Sequence, residues 1–228
     1  MYFSVERQTL LHRLCYSFQY FLLFLHMISS LLTTPKQYSN EHYKSTEQYS
    51  PVIVPESPVS KGTNLTGNPR LVRDLSADIH ASIQQWNNIH LHGISILKAI
   101  TQTKVDESYS EELQNLCDDL EKDCNSLADI VDNLKQLSHQ MKAVASLHKS
   151  KEYMFLTWPV EIFGDVANEI YKAYEKDLAV RYKVLENVAH DHKESWKMLH
   201  LATWVHQTQI SEKLTRLLES MLLETGHR

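Results

Sequence analysis

Apolar residues recur at intervals of three and four along most of the chain after residue 69, which is the period of one face of an α-helix. The pattern predicts helix A over about 69–102 and a longer helix B that starts at Ser108. Two further stripes predict helix C after Trp158-Pro159 and helix D from Asp191 to Gly226. Because four amphipathic stripes can bury one another, the predicted fold class is all-α: an elongated four-helix bundle with a long coiled-coil-like second helix.

Helix B carries the most regular stripe. Its spacing of threes and fours is the coiled-coil period, and a helix of about 40 residues would be roughly 60 Å long, so we expect it to project from the bundle. The sequence leaves open whether this seam pairs with a second copy or with another chain. Ser108 and Glu111 match a capping box at its start. The predicted coiled-coil seam is Leu113, Leu116, Leu120, Leu127, Val131, Leu134 and Met141.

The residues before this region lack the helical period. Residues 1–35 form a hydrophobic N-terminal extension, and no Asp, Glu, Lys or Arg occurs from Leu14 to Pro35. The layout is that of a signal peptide or a marginal membrane anchor, although polar residues interrupt it; the alternative is an extension with little structural role or a mis-assigned start. Residues 36–68 predict a disordered Ser/Pro/Tyr-rich linker with Ser/Thr-Pro dipeptides, and 69–228 a helical interaction domain.

Composition narrows the function classes. The 228 residues include only 5 Gly and 6 Pro, and five of the Pro precede residue 70, which argues against a β-sandwich or barrel in the rest. The 23 Lys+Arg are outnumbered by 28 Asp+Glu, and the basic residues form no sustained stripe, so direct nucleic-acid binding is unsupported. Three Cys at unsuitable spacing exclude a disulfide scaffold.

No motif of a known catalytic class is present: the sequence has no nucleophile elbow, phosphate loop, zinc spacing or dinucleotide fingerprint. The histidine pairs His90/His92 and His190/His192 are spaced by two, about 200° apart on a helix, so neither pair could close on one ion. We therefore predict no enzyme, no catalytic residue, no cofactor and no metal site. Apolar surplus lies instead at Met221-Leu222-Leu223, because three consecutive side chains cannot all face one bundle.

The C-terminal run from Leu218 to Arg228 resembles the C-terminal signature of the cyclin-dependent kinase 2-interacting protein family. The resemblance covers about residues 70–228 and departs at Thr208, where the family tends to have Pro. Shorter matches follow in the family's order at Thr157-Trp158-Pro159, at Tyr174-Glu175-Lys176-Asp177-Leu178, at Ala189-His190 and at Trp204-Val205-His206-Gln207.

The resemblance implies a nuclear, non-enzymatic helical adaptor. Its expected roles are DNA replication, the cell cycle and cell division, DNA damage checkpoint signalling, and a AAA+ ATPase complex acting in replisome turnover and ribosome biogenesis. The expected partners are a cyclin-dependent kinase, replication-initiation and checkpoint components, and AAA+ ATPase subunits. The predicted partner-binding residues are Trp158, Trp204, His206, Met221, Leu222, Leu223, Glu224, Thr225, Gly226, His227 and Arg228. The rival interpretation is a membrane-anchored coiled-coil trafficking or tethering protein, anchored by residues 14–32.

Overall fold

The computed structural model describes residues 65–148 and 153–227. All regular secondary structure in these ranges is helical, so the all-α prediction is confirmed, with five helices in place of the expected four. The helices are α1 (Asn68–Thr103), α2 (Glu111–Leu147), α3 (Val160–Val188), α4 (Glu194–His206) and α5 (Glu212–Glu224). The predicted N-terminal extension and all but the last residues of the predicted linker lie outside the described residues.

The start of α2 differs from the predicted capping box. Ser110, not Ser108, is the N-cap, and its Oγ accepts from the backbone N–H of Leu113 at 3.1 Å. Ser108 donates instead to the carboxylate of Asp106, which precedes the helix. Glu111 then occupies the first turn, where its charge favours the positive end of the helix dipole.

Predicted helix D is two helices. The chain leaves α4 at Gln207, which adopts the left-handed conformation with φ of 43°, and α5 restarts after the N-cap Ser211. This break occurs without the proline that the family pattern has at position 208. The predicted cap at Asp191 is also wrong, because α4 follows Lys193 and Asp191 pairs with Nε2 of His200 at 2.7 Å.

Helix α2 packs extensively against both α1 and α3, and α4 and α5 pack against α1 and α3. The predicted seam residues of α2 are buried, except for the half-buried Leu116. Because α1 and α2 contain 36 and 37 residues, each long helix covers the other. The expectation that helix B projects to pair with a partner is therefore corrected: its apolar side faces helices of the same chain.

Three contacts fix the direction of the helices. A Cβ on Gly164 of α3 would lie 3.2 Å from Cγ of Lys142, near the end of α2. Lys197 near the start of α4 donates to the carbonyl of Thr101 near the end of α1. His227, after α5, contacts the carbonyl of Arg73 in the second turn of α1. Helix α3 thus runs antiparallel to α2, and both α4 and α5 run antiparallel to α1. Within the described ranges, none of them has the length and apolar character needed to cross a bilayer.

Candidate functional site

Arg181 of α3 lies at the centre of the molecule's polar core. The residue is 1% exposed, and its guanidinium carbon lies 4.9 Å from the ring centre of Trp86 in α1 and 4.4 Å from that of Trp204 in α4. A guanidinium is planar and weakly hydrated, so it stacks between indoles at a lower desolvation cost than an ammonium. This stack joins three helices through one side chain.

The guanidinium of Arg181 has polar partners in α3 and α1. Its Nε donates to Oδ2 of Asp177 at 2.9 Å, and its Nη2 lies 3.2 Å from Nδ1 of His90. Burial, together with the Arg181 charge, lowers the pKa of His90 to about 4, so the imidazole is neutral at pH 7 and Nδ1 accepts from the guanidinium. Burial raises the pKa of Asp177, and Arg181 opposes that effect. We call Trp86, His90, Asp177, Arg181 and Trp204 the Arg181 cluster.

The Arg181 cluster also fixes the break between α4 and α5. The Oε1 of Gln207 accepts from Nε1 of Trp86 at 3.3 Å, and the backbone N–H of Gln209 donates to Asp177. Trp204 reaches the cluster because its Nε1 donates to the carbonyl of His90 at 3.1 Å and its ring lies against Gly93. The left-handed turn thus replaces helical hydrogen bonds with bonds to side chains of α1 and α3.

A concave surface opens beside this turn. The cavity has a volume of about 410 Å³ and lies between α1, α3, α5 and the turn. Its floor is apolar and includes the buried Ile83, Tyr174 and Leu214, whereas its rim is polar. No Lys or Arg lines this part of the described structure. We call this cavity the break groove, and its rim residues are His80, Gln84, Asn87, His206, Gln207, Thr215 and Glu219.

The C-terminal signature closes the opposite end of α5. The carboxylate of Glu224 accepts from the backbone N–H groups of Leu156, Thr157 and Trp158 and from the Thr157 hydroxyl. These N–H groups lie before the first turn of α3, so no carbonyl of a preceding helical turn can accept from them. The buried carboxylate therefore holds the segment before α3 against α5.

A Schellman motif follows Glu224. Gly226 has φ of 72°, its N–H bonds the carbonyl of Leu223, and the N–H of His227 bonds the carbonyl of Leu222 at 2.9 Å. The Thr225 hydroxyl donates to the carbonyl of Met221 at 2.8 Å. The signature from Met221 to His227 thus has a direct structural role in ending α5.

Much of the predicted partner-binding set serves the fold. Five of its residues are buried against the chain's own helices, namely Trp204, Met221, Leu222, Glu224 and Thr225, whereas direct partner contact by the set stays a prediction. The reason is that α5 turns two of its three consecutive apolar residues inward and leaves Leu223 53% exposed. Trp158 and Gly226 are half-buried, His206 and His227 are exposed, and Arg228 lies outside the described residues.

The predicted partner-binding residues that are exposed do not form one site. His206 borders the break groove, whereas Leu223 and His227 lie at the far end of α5. Sequence reasoning missed Arg181 and the groove's rim, because no local pattern marks an arginine that will be buried. In the described ranges, no three His, Cys, Asp or Glu side chains are grouped so as to hold a metal ion.

Comparison with known proteins gives a consistent picture. The chain is 28% identical over 207 residues to the cyclin-dependent kinase 2-interacting proteins of Bos taurus and Homo sapiens. It is 25% identical over 202 residues to the protein of that name from Xenopus laevis. In each case the match spans 77% of this chain and 95% of the relative. No protein-family model matches the chain. The resemblance that the C-terminal residues suggested is confirmed.

Proposed function

We propose that this chain is a non-enzymatic helical adaptor that binds a cyclin-dependent kinase and works in nuclear complexes of DNA replication and checkpoint signalling. One observation carries the proposal. The similarity extends over 95% of the length of each relative, and the name of these relatives describes them as interacting with cyclin-dependent kinase 2. Roles with AAA+ ATPase subunits, in replisome turnover and in ribosome maturation are proposed on the family resemblance alone.

The distribution of polar groups supports an adaptor. The buried charges of Asp177 and Arg181 pair with each other, and the guanidinium stacks on two indoles, so this polar core contributes to the fold. Exposed apolar and carboxamide groups border the break groove instead. A helical scaffold with a concave surface of this kind suits the binding of a polypeptide segment.

The direct test is binding between purified proteins. The full chain is titrated with recombinant cyclin-dependent kinase 2, alone and with its cyclin, and binding is measured by biolayer interferometry. We expect saturable binding that a protein kinase from another group, used at the same concentrations, does not show. Equal responses from both kinases would contradict the proposal.

The membrane-tethering alternative depends on residues 14–32, which lie outside the described residues. The pairing of helix B with a partner coiled coil, which this alternative also requires, is not supported, because the seam of α2 is buried within the chain. Fractionation of cells that express a C-terminally tagged chain separates the two functions. Nuclear recovery supports the adaptor, whereas carbonate-resistant membrane association that requires residues 1–35 supports the tether.

A further inference from the structure

The apolar surface of the break groove extends beyond the cavity along the contact between α1 and α4. Asn87 and Val205 line the groove from the two helices. Leu91 lies one turn after Asn87 on the same stripe of α1, and Met198 lies two turns before Val205 on the same stripe of α4. Leu91 is 62% exposed and Met198 is 51% exposed. Since α1 and α4 run antiparallel, both residues continue the groove in the same direction.

The rim of the groove carries carboxamides. Gln84 and Asn87 of α1 and Gln207 of the turn each have an N–H₂ donor and a carbonyl acceptor, the same pair that a peptide group presents. Asn87 has no hydrogen-bond partner among the described residues, and the amide nitrogen of Gln207 is likewise unused, since Trp86 takes only its oxygen. These groups match an extended backbone better than a helix, whose own peptide groups are already paired.

The charged residues around the groove further restrict the kind of molecule that could bind there. Glu219 contributes a carboxylate to the rim, and neither Lys nor Arg is among the described lining residues. Nucleic acids and phosphopeptides need cationic partners, so this groove does not suit them. The floor of Ile83, Tyr174 and Leu214 instead suits aliphatic or aromatic side chains.

We propose that the break groove binds a short, extended segment of a partner polypeptide, with apolar side chains on the floor and backbone groups paired to the carboxamide rim. The segment carries no net negative charge. A volume of about 410 Å³ is that of a site for a few side chains and is too small to hold a folded element. The identity of the partner as a kinase complex rests on the proposed function, whereas the chemistry of the segment rests on the groove.

Two substitutions block the groove from opposite walls. Asn87→Arg on α1 and Thr215→Arg on α5 each place a long cation across it, and Thr215 is exposed, so its replacement leaves the core intact. Asn115→Arg is the matched control, because Asn115 is an exposed helical asparagine on α2 and does not line the groove. Circular dichroism and melting temperature establish that the three variants are folded.

The probe is a phage-displayed library of random nine-residue peptides, panned on the full wild-type chain. We expect enriched peptides with spaced apolar residues, whose affinity is retained by Asn115→Arg and falls by about tenfold or more in both groove variants. Absence of enrichment, or affinities in the groove variants within about twofold of wild type, would overturn the proposal. A wild-type dimer that the groove variants convert to a monomer would also overturn it, since the occupant would be a second copy.

The kinase titration separates this proposal from the proposed function. Loss of kinase binding in both groove variants, with Asn115→Arg unchanged, supports the groove as the kinase complex's site. If wild type binds groove-dependent peptides but no kinase, the proposed function fails and the groove assignment stands. If kinase binds wild type and both groove variants equally and no peptide is enriched, the groove assignment fails and the proposed function stands.

Discussion

Individual side chains of the Arg181 cluster illustrate why a buried ion pair can be retained. Removing one member leaves the other charged and desolvated, which typically costs 3–5 kcal/mol, although a well-packed apolar replacement of the whole set can be neutral. Here the pair has a second consequence, because Asp177 also accepts from Gln209 and Arg181 separates two indoles. The cluster thus selects one arrangement of α1, α3 and the turn after α4.

Gly93 of α1 lies against the ring of Trp204 in the Arg181 cluster, and replacing it tests how closely the two helices approach. A Cβ at this position would lie 2.4 Å from Cζ2 of Trp204, so Gly93→Ala must displace the indole that stacks on Arg181. Alanine favours a helix over glycine by about 1 kcal/mol, but overpacking typically costs 1–3 kcal/mol, and we expect net destabilisation. The free energy of unfolding in urea measures it.

Gly164→Ala is the matched comparison for that substitution, since its Cβ would meet Cγ and the backbone Cα of Lys142 at 3.2 and 3.3 Å, which is a less severe overlap than the one with Trp204. We expect a smaller loss of stability, or none. Equal losses at the two glycines would show that the Trp204 contact is not the cause.

His90 makes stability depend on pH. Its pKa is about 4 in the folded protein and about 6.5 when unfolded, so the unfolded chain binds more protons between these values. The contribution of His90 is therefore fully present above pH 6.5 and is lost as the pH falls towards 4, by up to about 3 kcal/mol. Asp177, with its raised pKa, shifts stability in the opposite direction at the acidic end.

Urea unfolding at pH 7 and pH 4.5 of wild type and His90→Gln isolates this effect. The variant should lose less stability than wild type between the two pH values, because glutamine does not titrate and can still accept from Arg181. Parallel losses in both proteins would rule out His90 as the titrating group.

At the scale of helices, the C-terminal signature acts as a lock between elements. Glu224 at the end of α5 replaces the missing acceptors of the segment before α3, and His227 bonds the carbonyl of Arg73 in α1. The sequence analysis assigned both residues to partner binding. In the structure their polarity is used to satisfy backbone groups at a junction of three helices.

Glu224→Ala tests the lock. It leaves the backbone N–H groups of Leu156, Thr157 and Trp158 without their acceptor, and we expect a loss of about 2–3 kcal/mol in unfolding free energy. Increased hydrogen exchange at these three amides would locate the effect. Glu121→Ala, on the exposed side of α2, is the control and should change stability by less than about 0.5 kcal/mol. Unchanged exchange in Glu224→Ala would refute the lock.

At the scale of the whole molecule, the sequence predicted what is local. The three-and-four spacing located α1, α2 and α3 to within a few residues, because it records which side of a helix is buried. It could not supply the break at Gln207, whose hydrogen bonds come from Trp86 and Asp177, far away in sequence. The burial of Arg181 and the groove beside the break depend on the same long-range contacts, so neither was predictable.

The same limit applies to the seam of α2. An apolar stripe indicates that a helix surface is buried, but it does not indicate whether the same chain or another chain buries it. In the structure Leu127 and Leu134 are 0% and 1% exposed within a single chain. If this packing is the stable one, association with a second chain is not needed to bury the seam. The melting temperature of the purified protein should then not change over a hundredfold range of protein concentration.

A coiled-coil dimer held together by the same seam would behave differently, because mass action raises its melting temperature with concentration. Leu127→Asp sharpens the comparison. It places an unpaired charge in the intramolecular core, at a cost of several kcal/mol, so it should lower the melting temperature equally at every concentration. A variant that stayed folded as a monomer while wild type melted in a concentration-dependent way would instead assign the seam to a partner chain.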